Sequence, residues 1–326
     1  MRPVGSGTTP EQYLRFAEES ADSPCFAEWG RGVASDPEVL ALLEALPPGK
    51  RQPNLLFAAA RWHGAVAPGP YEGLREVVLG DWGSVRSTVL RRATQTNEVG
   101  RCATLLPVLA SLPQPVALLE VGASAGLTLF PDRYSYRFST AAGVVSVDPP
   151  DGPSPVELPC HVTGPAPLPD RVPEVVWRAG IDLSPLAVED EDAMAWLATL
   201  VWPEHDDRRR RLAAAVEVVR REPPRLVRGD LVLELTALLD EVPEGATPVV
   251  FHSAVLAYLP EEDRRQFADL VQTLPGHWVS NEGPAVVPGV EPRGTASAGD
   301  FLLAVDGAQV AWAQGHGRAL LWLAGP

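Results

Sequence analysis

The segment Leu118–Leu127, with the sequence LLEVGASAGL, decides the fold class of this chain of 326 residues. Its apolar first half predicts a short buried strand, and the acidic residue Glu120 stands close to the end of that strand. Gly122 and Gly126 follow, and glycine lets a backbone turn sharply and come close to a ligand. A strand, a glycine-rich turn and then a helix are expected here. Open α/β sheets bind their ligands beyond the carboxyl ends of such strands.

Downstream of this segment the sequence predicts strands and helices in alternation. The strands expected after the first are Val175–Ile181, Arg225–Arg228, Pro248–Phe251 and Trp278–Asn281. Helices are expected between them, near Asp190–Val201, Asp207–Arg221, Glu234–Leu239 and Glu261–Leu274. The chain then closes with a predicted antiparallel pair, Phe301–Val305 and Arg318–Leu323. This order predicts an α/β fold with a doubly wound, mostly parallel, Rossmann-like sheet that carries helices on both faces.

Upstream of residue 113 the sequence predicts helices only. A capping residue followed by proline marks helix starts at Thr9-Pro10 and at Asp36-Pro37. We therefore expect an N-terminal helical region or lid over residues 1–112 and a Rossmann-like core over residues 113–326. Residues 135–174 are rich in proline and break the alternation, so they predict a small β insertion between the first core helix and the second core strand.

Charge and composition narrow the classes of partner. With a formal net charge of −15, the chain is not expected to bind nucleic acid, which needs a basic surface. No apolar run approaches the roughly 20 residues that span a bilayer, and no apolar leader is seen, so a cytoplasmic protein without membrane contact is expected. The three cysteines lie far apart and predict free thiols, and no cluster of metal ligands is seen. A small-molecule substrate is the expected partner, and the oligomeric state is left open.

The turn and the strand ends predict a cofactor site. An anion would bind the N–H groups at the start of the helix after the turn, and in S-adenosylmethionine this anion is the methionine carboxylate. Glu120 would hold the cationic amino group. Asp182 would accept both ribose hydroxyls, with Asp148 as the rival candidate, and Asp230 would accept from the adenine amino group. The predicted cofactor-binding residues are Glu120, Gly122, Ala123, Ser124, Gly126, Asp182, Leu183, Asp230, Leu231 and His252.

His252 stands at the end of the fourth predicted core strand. The methyl group that S-adenosylmethionine would transfer is expected at this position. A neutral imidazole there would take a proton from an acceptor O–H or N–H, so His252 is the predicted catalytic residue. Capping of the next segment, or lining of the pocket without chemistry, is the alternative for this side chain. Polar and aromatic residues at the same rim, or at breaks between helices, are predicted to contact the substrate: Asn97, Glu98, Trp202, Glu204, Tyr258, Asn281 and Glu282.

The glycine-rich turn also satisfies a second pattern. Gly122–Gly126 is a G-x-S-x-G sequence, in which Ser124 would be the nucleophile of an α/β-hydrolase. The helical character upstream and the lack of an oxyanion-loop motif favour a nucleotide site over this hydrolase. A non-catalytic nucleotide-binding protein and an NAD-binding protein are further alternatives.

Over nearly its whole length the chain resembles a family of uncharacterised bacterial proteins known mainly from actinobacteria. The segments that carry this resemblance are Pro53–Leu56, Thr94–Arg101, Glu120–Leu127, Asp132–Tyr134, Trp177–Pro185, Leu200–Glu204, His252–Pro260 and Ser280–Pro284. The core resembles class I S-adenosylmethionine-dependent methyltransferases, whose first motif is an acidic residue followed by alternating glycines. Ser124 stands in the place of the middle glycine, and its side chain would hinder close backbone approach. The resemblance implies transfer of a methyl group from S-adenosylmethionine to a small molecule.

Overall fold

A computed structural model describes residues 7–297 and 299–325 of the chain. Residues 1–6, which the expectation about a leader concerns, lie outside the described residues. Two compact units are present. The sheet unit comprises residues 97–189 and 211–325, and the helical unit comprises residues 7–96 and 190–210. The division thus falls at residue 97, earlier than the expected residue 113, and the helical unit includes a later segment of the chain.

The described part of the chain contains eleven α-helices. They are α1 (Thr9–Glu19), α2 (Pro24–Ala34), α3 (Pro37–Glu44), α4 (Pro53–Trp62), α5 (Tyr71–Gly80), α6 (Trp82–Arg91), α7 (Arg101–Ser111), α8 (Glu191–Leu200), α9 (Asp206–Arg220), α10 (Leu231–Leu239) and α11 (Glu261–Val271). The helix starts predicted at Thr9-Pro10 and Asp36-Pro37 are those of α1 and α3. The sequence also predicts helices over Pro53–Ala67 and near Trp82–Ala93 and Glu98–Leu112, which correspond to α4, α6 and α7. The sequence does not predict α2 and α5.

The prediction misses α2 and α5, although α2 begins with Ser23 and Pro24, the same cap-and-proline signal as α1 and α3. Two glycines, Gly30 and Gly32, lower the helix propensity of α2. Packing requires the second of them, because a Cβ atom at Gly32 would lie 2.3 Å from the Tyr71 ring in α5. The start of α5 has no side-chain cap. Tertiary contacts in the helical unit therefore override local preference in α2.

Residues 7–297 and 299–325 also contain eleven strands. They are β1 (Val116–Val121), β2 (Ser135–Thr140), β3 (Gly143–Val147), β4 (Glu157–Thr163), β5 (Val175–Asp182), β6 (Arg225–Arg228), β7 (Thr247–Ser253), β8 (His277–Glu282), β9 (Asp300–Val305), β10 (Ala308–Gln314) and β11 (Ala319–Trp322). One sheet holds them in the order β3-β2-β4-β11-β10-β9-β8-β7-β1-β5-β6. Six neighbouring pairs are parallel. The predicted α/β fold with a mostly parallel sheet is confirmed.

The parallel strands β6-β5-β1-β7-β8 position the site. β1 lies at their centre and is buried along its whole length. The chain continues from β1 to β5 and β6 on one side, and then returns to place β7 and β8 on the other. The strand order therefore reverses between β1 and β7. Ligands of open α/β sheets bind outside the carboxyl ends of the strands at such a point.

The segment after β1 differs from the predicted helix. Short 3₁₀ turns occupy Leu127–Leu129 and Pro131–Arg133. Gly126 takes a φ of +70°, which ends the turn in a left-handed conformation. Pro131 then lacks the N–H group that a continuing helix would need. The connection between β1 and β5 consequently contains no α-helix, and the prediction of a helix N-terminus above the glycine turn was wrong.

The β insertion at residues 135–174 extends the main sheet. β2 and β3 form the expected antiparallel hairpin, but β4 pairs in parallel with both β2 and β11. Residues along β4 alternate between exposed and buried, which matches a strand inside a half-covered sheet. The closing group has three antiparallel strands, β9, β10 and β11, where the sequence predicts a pair. β11, the outer strand of this group, pairs with β4.

The core of the sheet unit packs one face of the parallel strands against α10 and α11. Val121 and Ile181 belong to one buried apolar cluster with Leu235 and Phe267 of these helices. Burying each such side chain contributes about 1.5–3 kcal/mol to stability. Cys25, Cys102 and Cys160 are buried and unpaired, as predicted. In the part of the chain that the structure describes, no helix has both the length and the apolar character needed to cross a bilayer.

Candidate functional site

The registers of the parallel strands bring four strand ends to one level. Val121 of β1 is aligned with Ile181 of β5 and with His252 of β7, which in turn is aligned with Ser280 of β8. Because side chains alternate along a strand, two sets of polar residues form on opposite faces. Glu120, Asp182, Ser253 and Asn281 share one face, here the Glu120 face. His252 and Glu282 share the other, the His252 face.

Glu120 carries a buried carboxyl on the central strand, and the residue is only 4% exposed. Its Oε1 atom accepts a hydrogen bond from the Thr128 hydroxyl. Its Oε2 atom has no hydrogen-bond partner among the described residues. Burial raises the pKa of Glu120 to about 8, although Thr128 and the charge of Arg101 act to lower it. The carboxyl is therefore mainly neutral at pH 7, and a bound cation would favour its ionised form.

Arg101 places a buried positive charge near Glu120. It is the first residue of α7, and its guanidinium donates to the backbone oxygens of Gly315 at 2.9 Å and Ser253 at 3.0 Å. Phe301 lies under the guanidinium, 5.4 Å from ring centre to Cζ. These contacts hold the arginine at the carboxyl edge of β7. The predicted site residues do not include Arg101, Thr128 or Ser253. An arginine that opens an otherwise apolar helix indicates a buried charge, but it does not indicate which groups that charge contacts.

The glycine-rich turn is closed by acceptors from the protein itself. The N–H groups of Gly122 and Ala123 donate to the Ile181 carbonyl oxygen, at 2.8 and 3.1 Å. The N–H of Ser124 donates to Asp182 Oδ2 at 2.9 Å, and the N–H of Leu127 donates to Asn97 Oδ1 at 2.7 Å. With these donors engaged and no helix above the turn, the geometry does not support the predicted anion site at this position.

Ser124 adopts a left-handed conformation, with φ of +52°. A non-glycine residue in this region costs roughly 1–2 kcal/mol. The Oγ atom is buried and has no hydrogen-bond partner among the described residues. A hydrolase nucleophile needs a base within hydrogen-bond reach, so the geometry does not support the elbow interpretation.

Asp182 ties the turn to the end of β5. Besides Ser124, it accepts from the Ser184 N–H, at 2.7 Å to Oδ1. Leu183 beside it is 69% exposed and offers an apolar surface at the same edge. Asp148, the rival candidate, instead pairs with Arg137 at 2.9 Å, next to β3 at the far edge of the sheet. Asp182 is therefore the better candidate for the ribose.

A groove of about 1350 Å³ lies in the sheet unit at the other end of the parallel strands. Gln114 and Val175, which border the amino ends of β1 and β5, contribute to its lining. Proline-rich segments, 148–155 and 167–173, form much of its wall. The groove also includes Asp148, so this residue lies away from the glycine turn, which follows the carboxyl end of β1.

Asp230 and Leu231 follow β6 and begin α10. Asp230 Oδ1 accepts from the N–H groups of Val232, at 2.9 Å, and Leu233, at 3.4 Å. This is the geometry of a helix cap, which accounts for the aspartate without a ligand. Leu231 is half-buried and packs on the apolar core. The two positions border the carboxyl edge, and their predicted contact with adenine stays a prediction.

His252 is fully buried on the His252 face, and both ring nitrogens have protein partners. Its Nδ1 atom lies 2.8 Å from Glu282 Oε1, and the indole N–H of Trp278 donates to its Nε2 atom at 3.0 Å. An indole N–H is only a donor, so Nε2 carries no proton and Nδ1–H donates to Glu282. No nitrogen is left to take a proton from a substrate. The placement does not support His252 as a general base.

Glu282 has a structural task on the same face. Its Oε1 atom also accepts from the N–H groups of Val255 at 2.9 Å and Leu256 at 3.1 Å. These donors begin the turn after β7, where Ala254 takes a φ of +58°. Val255 then rests on the glycine turn, because a Cβ atom at Gly122 would lie 2.3 Å from Val255 Cγ2. Glu282 and His252 thus hold the segment after β7 in place beside the glycine turn.

The other predicted substrate residues lie in different places. Asn97 accepts from the Leu127 N–H and so contacts the glycine turn, whereas Glu98 accepts from the Gly100 N–H of its own segment at 3.1 Å. Asn281 donates to Ser253 Oγ at 3.1 Å, while its Oδ1 atom has no partner among the described residues. Tyr258 is 70% exposed in the short 3₁₀ turn after β7.

Trp202 and Glu204 belong to the helical unit. Glu204 accepts from the Ser23 hydroxyl at 2.5 Å and from the Cys25 N–H at 2.9 Å, at the start of α2. The indole N–H of Trp202 donates to Asn54 Oδ1 at 3.0 Å. Both side chains therefore stabilise the helical unit, and their predicted contact with a substrate stays a prediction.

A comparison with protein families decides the family of the chain. The model of a family described as "Uncharacterized protein conserved in bacteria (DUF2332)" matches residues 10–322. The chain belongs to the DUF2332 family. The prediction of an uncharacterised bacterial family over nearly the whole length is confirmed. Neither the curated proteins nor the solved structures gave a match.

Proposed function

We propose that the sheet unit binds S-adenosylmethionine at the carboxyl edge of its parallel strands and transfers the methyl group to a small molecule. The observation that carries the proposal is the buried Glu120 carboxyl, whose Oε2 atom is unpartnered among the described residues. It stands on the central strand, next to the point where the strand order reverses. An unpartnered buried acceptor favours a ligand that brings a donor, and a charged donor makes the strongest such bond.

The topology supports the same proposal. A parallel order β6-β5-β1-β7-β8, with a glycine-rich turn directly after the central strand, is what a Rossmann-like core of the class I methyltransferase kind would have. The acidic residues Glu120 and Asp182 end adjacent strands, as the amino group and the ribose of the cofactor require. Fold likeness alone leaves the chemistry open, so the proposal depends on these side chains.

The residues fit one end of the cofactor better than the other. Glu120 would hold the ammonium group, Asp182 the ribose, and the exposed Leu183 side chain would pack on the nucleoside. The turn does not offer its N–H groups to the methionine carboxylate, which needs another partner. S-adenosylmethionine supplies an electrophilic methyl group when bound. The protein would accelerate transfer by positioning the two reactants, a contribution that does not need a general base.

Titration calorimetry tests the proposal. S-adenosylmethionine and S-adenosylhomocysteine should bind the wild-type protein with micromolar affinity. Glu120→Gln should weaken this binding about tenfold, or roughly 1.4 kcal/mol. The amide cannot ionise, so it offers no negative charge to the ammonium group of the ligand. The substitution keeps the shape of a side chain that is mainly neutral at pH 7 in the free protein, so the fold should persist.

Asp148→Asn is the matched control for this experiment. It removes the same charge from the far edge of the sheet, where Asp148 pairs with Arg137, and it should leave the affinity unchanged. Absence of binding at millimolar ligand, or equal weakening by both substitutions, would contradict the proposal. Incubation with S-adenosylmethionine and a metabolite mixture then separates an enzyme from a binding protein, since only an enzyme yields a methylated product.

A further inference from the structure

The outer strand β3 presents an open edge. It is the last strand of the sheet, and within the described residues its backbone pairs along one side only, with β2. Val144 is 66% exposed, and Ser146, on the same face, is exposed as well. The outer row of N–H and C=O groups is therefore available to another strand. Such an edge is a template for strand addition.

The two edges of this sheet are built differently. At the opposite edge, β6 has only four residues, carries Arg225 and Arg228 at its ends, and follows Pro223 and Pro224. Short length, charge and proline are the devices by which proteins protect an edge from pairing. β3 is only one residue longer than β6, but its sequence, GVVSV, contains no charge and no proline. The contrast within one sheet indicates that the β3 edge is kept open for a partner.

Charge indicates that the partner is a second copy of the chain. With a net charge of −15, two copies repel each other over most of their surfaces. The stretch between Asp132 and Asp148 contains no acidic residue, although the chain has 42 of them. This hairpin is a place where copies can approach without opposing carboxylates. An edge strand without charge is also compatible with itself in an antiparallel arrangement.

We propose that β3 pairs antiparallel with β3 of a second copy and forms a two-fold dimer with a continuous sheet. A two-fold axis at Val145 places Val144 opposite Ser146 of the partner subunit. The backbone hydrogen bonds supply affinity, and these two cross-strand pairs set the register. The arrangement uses the same strand on both subunits, so it closes at two copies.

Two double variants with equal numbers of substitutions test the register. Val144→Lys with Ser146→Lys places like charges directly opposite each other across the axis. Val144→Lys with Ser146→Glu places opposite charges there instead. Both positions are exposed, so neither variant should affect folding of the subunit. Sedimentation equilibrium at several protein concentrations gives the dissociation constant of each.

The wild-type protein should sediment at twice the chain mass of 34.9 kDa. The Lys/Lys variant should raise the dissociation constant at least about tenfold, whereas the Lys/Glu variant should stay within about threefold of wild type. A wild-type mass of one chain at about 100 μM protein would overturn the proposal. So would equal dissociation of the two variants, or a dimer that the Lys/Lys variant leaves intact.

Discussion

Replacing Glu282 with alanine should lower the free energy of unfolding by about 3–5 kcal/mol. The side chain is fully buried, and its Oε1 atom accepts from His252 Nδ1–H and from the N–H groups of Val255 and Leu256. Glu282→Ala would leave these three donors buried without an acceptor, and each unsatisfied buried group costs about 1–3 kcal/mol. Urea denaturation at pH 7, followed by tryptophan fluorescence, measures the loss.

Glu282→Gln separates the hydrogen bonds from the negative charge. The amide oxygen can still accept from the turn, so we expect a loss well below that of Glu282→Ala. Adding His252→Phe to Glu282→Ala removes the stranded His252 donor but leaves the buried indole N–H of Trp278 without its acceptor, so no recovery of stability is expected. A Glu282→Ala protein within about 1 kcal/mol of wild type would contradict the role assigned to this carboxylate.

Gly122→Ala should destabilise the protein by about 3 kcal/mol, the second large effect expected near the glycine turn. Gly122 has a φ of +74°, where an L-residue is strained. The added Cβ atom would also lie 2.3 Å from Val255 Cγ2, so Val255 would have to move. The same substitution should loosen the turn that holds Glu120 and Asp182 in place, and so weaken cofactor binding.

Two further variants separate the cost of backbone strain from the cost of the clash with Val255. Gly289 has nearly the same φ, +76°, with no atom within 4 Å of an added Cβ, so Gly289→Ala reports the backbone strain alone. We expect that variant to lose only about 1–2 kcal/mol. Gly122→Ala combined with Val255→Ala should relieve only part of the steric cost, because the Cβ atom at position 255 would still lie 2.7 Å from the added Cβ. Equal losses at Gly122 and Gly289 would show that Val255 does not rest on the turn.

Local patterns predict the parallel strands well. The segments Val175–Ile181 and Arg225–Arg228 agree with β5 and β6 to within one residue, because short apolar runs between polar turns are read without long-range information. The pairing of β4 with β11 joins segments about 160 residues apart along the chain. No local pattern encodes such a partner. The missing helix after β1 depends on Pro131, which the glycine-rich pattern outweighed in the prediction.

The candidate site also depends on contacts that the local sequence does not encode. The motif places Glu120 correctly at a strand end, but only the packing around it shows that it is buried and that its pKa is raised. His252 has the right position in the sequence for a base. The alternation of faces along β7 turns it toward the core, where Trp278 and Glu282 occupy both nitrogens. Arg101 reaches the site from α7, and no feature of its own segment predicts that contact.

The proposed cofactor site is tested most directly by counting the protons released when S-adenosylmethionine binds. Because burial raises the pKa of Glu120 to about 8, the free carboxyl is almost fully protonated at pH 6.5. An ammonium group bound to Oε2 would favour the ionised form, so binding should release about one proton to the buffer. The affinity should accordingly increase with pH up to about pH 8. Calorimetric titrations at pH 6.5 in buffers of different ionisation enthalpy give the number of protons released.

Wild-type protein should release about one proton, and Glu120→Gln should release none, since its amide does not titrate. Binding of S-adenosylmethionine with no proton release by the wild-type protein, or with equal release by both proteins, would show that the ligand does not contact the Glu120 carboxyl.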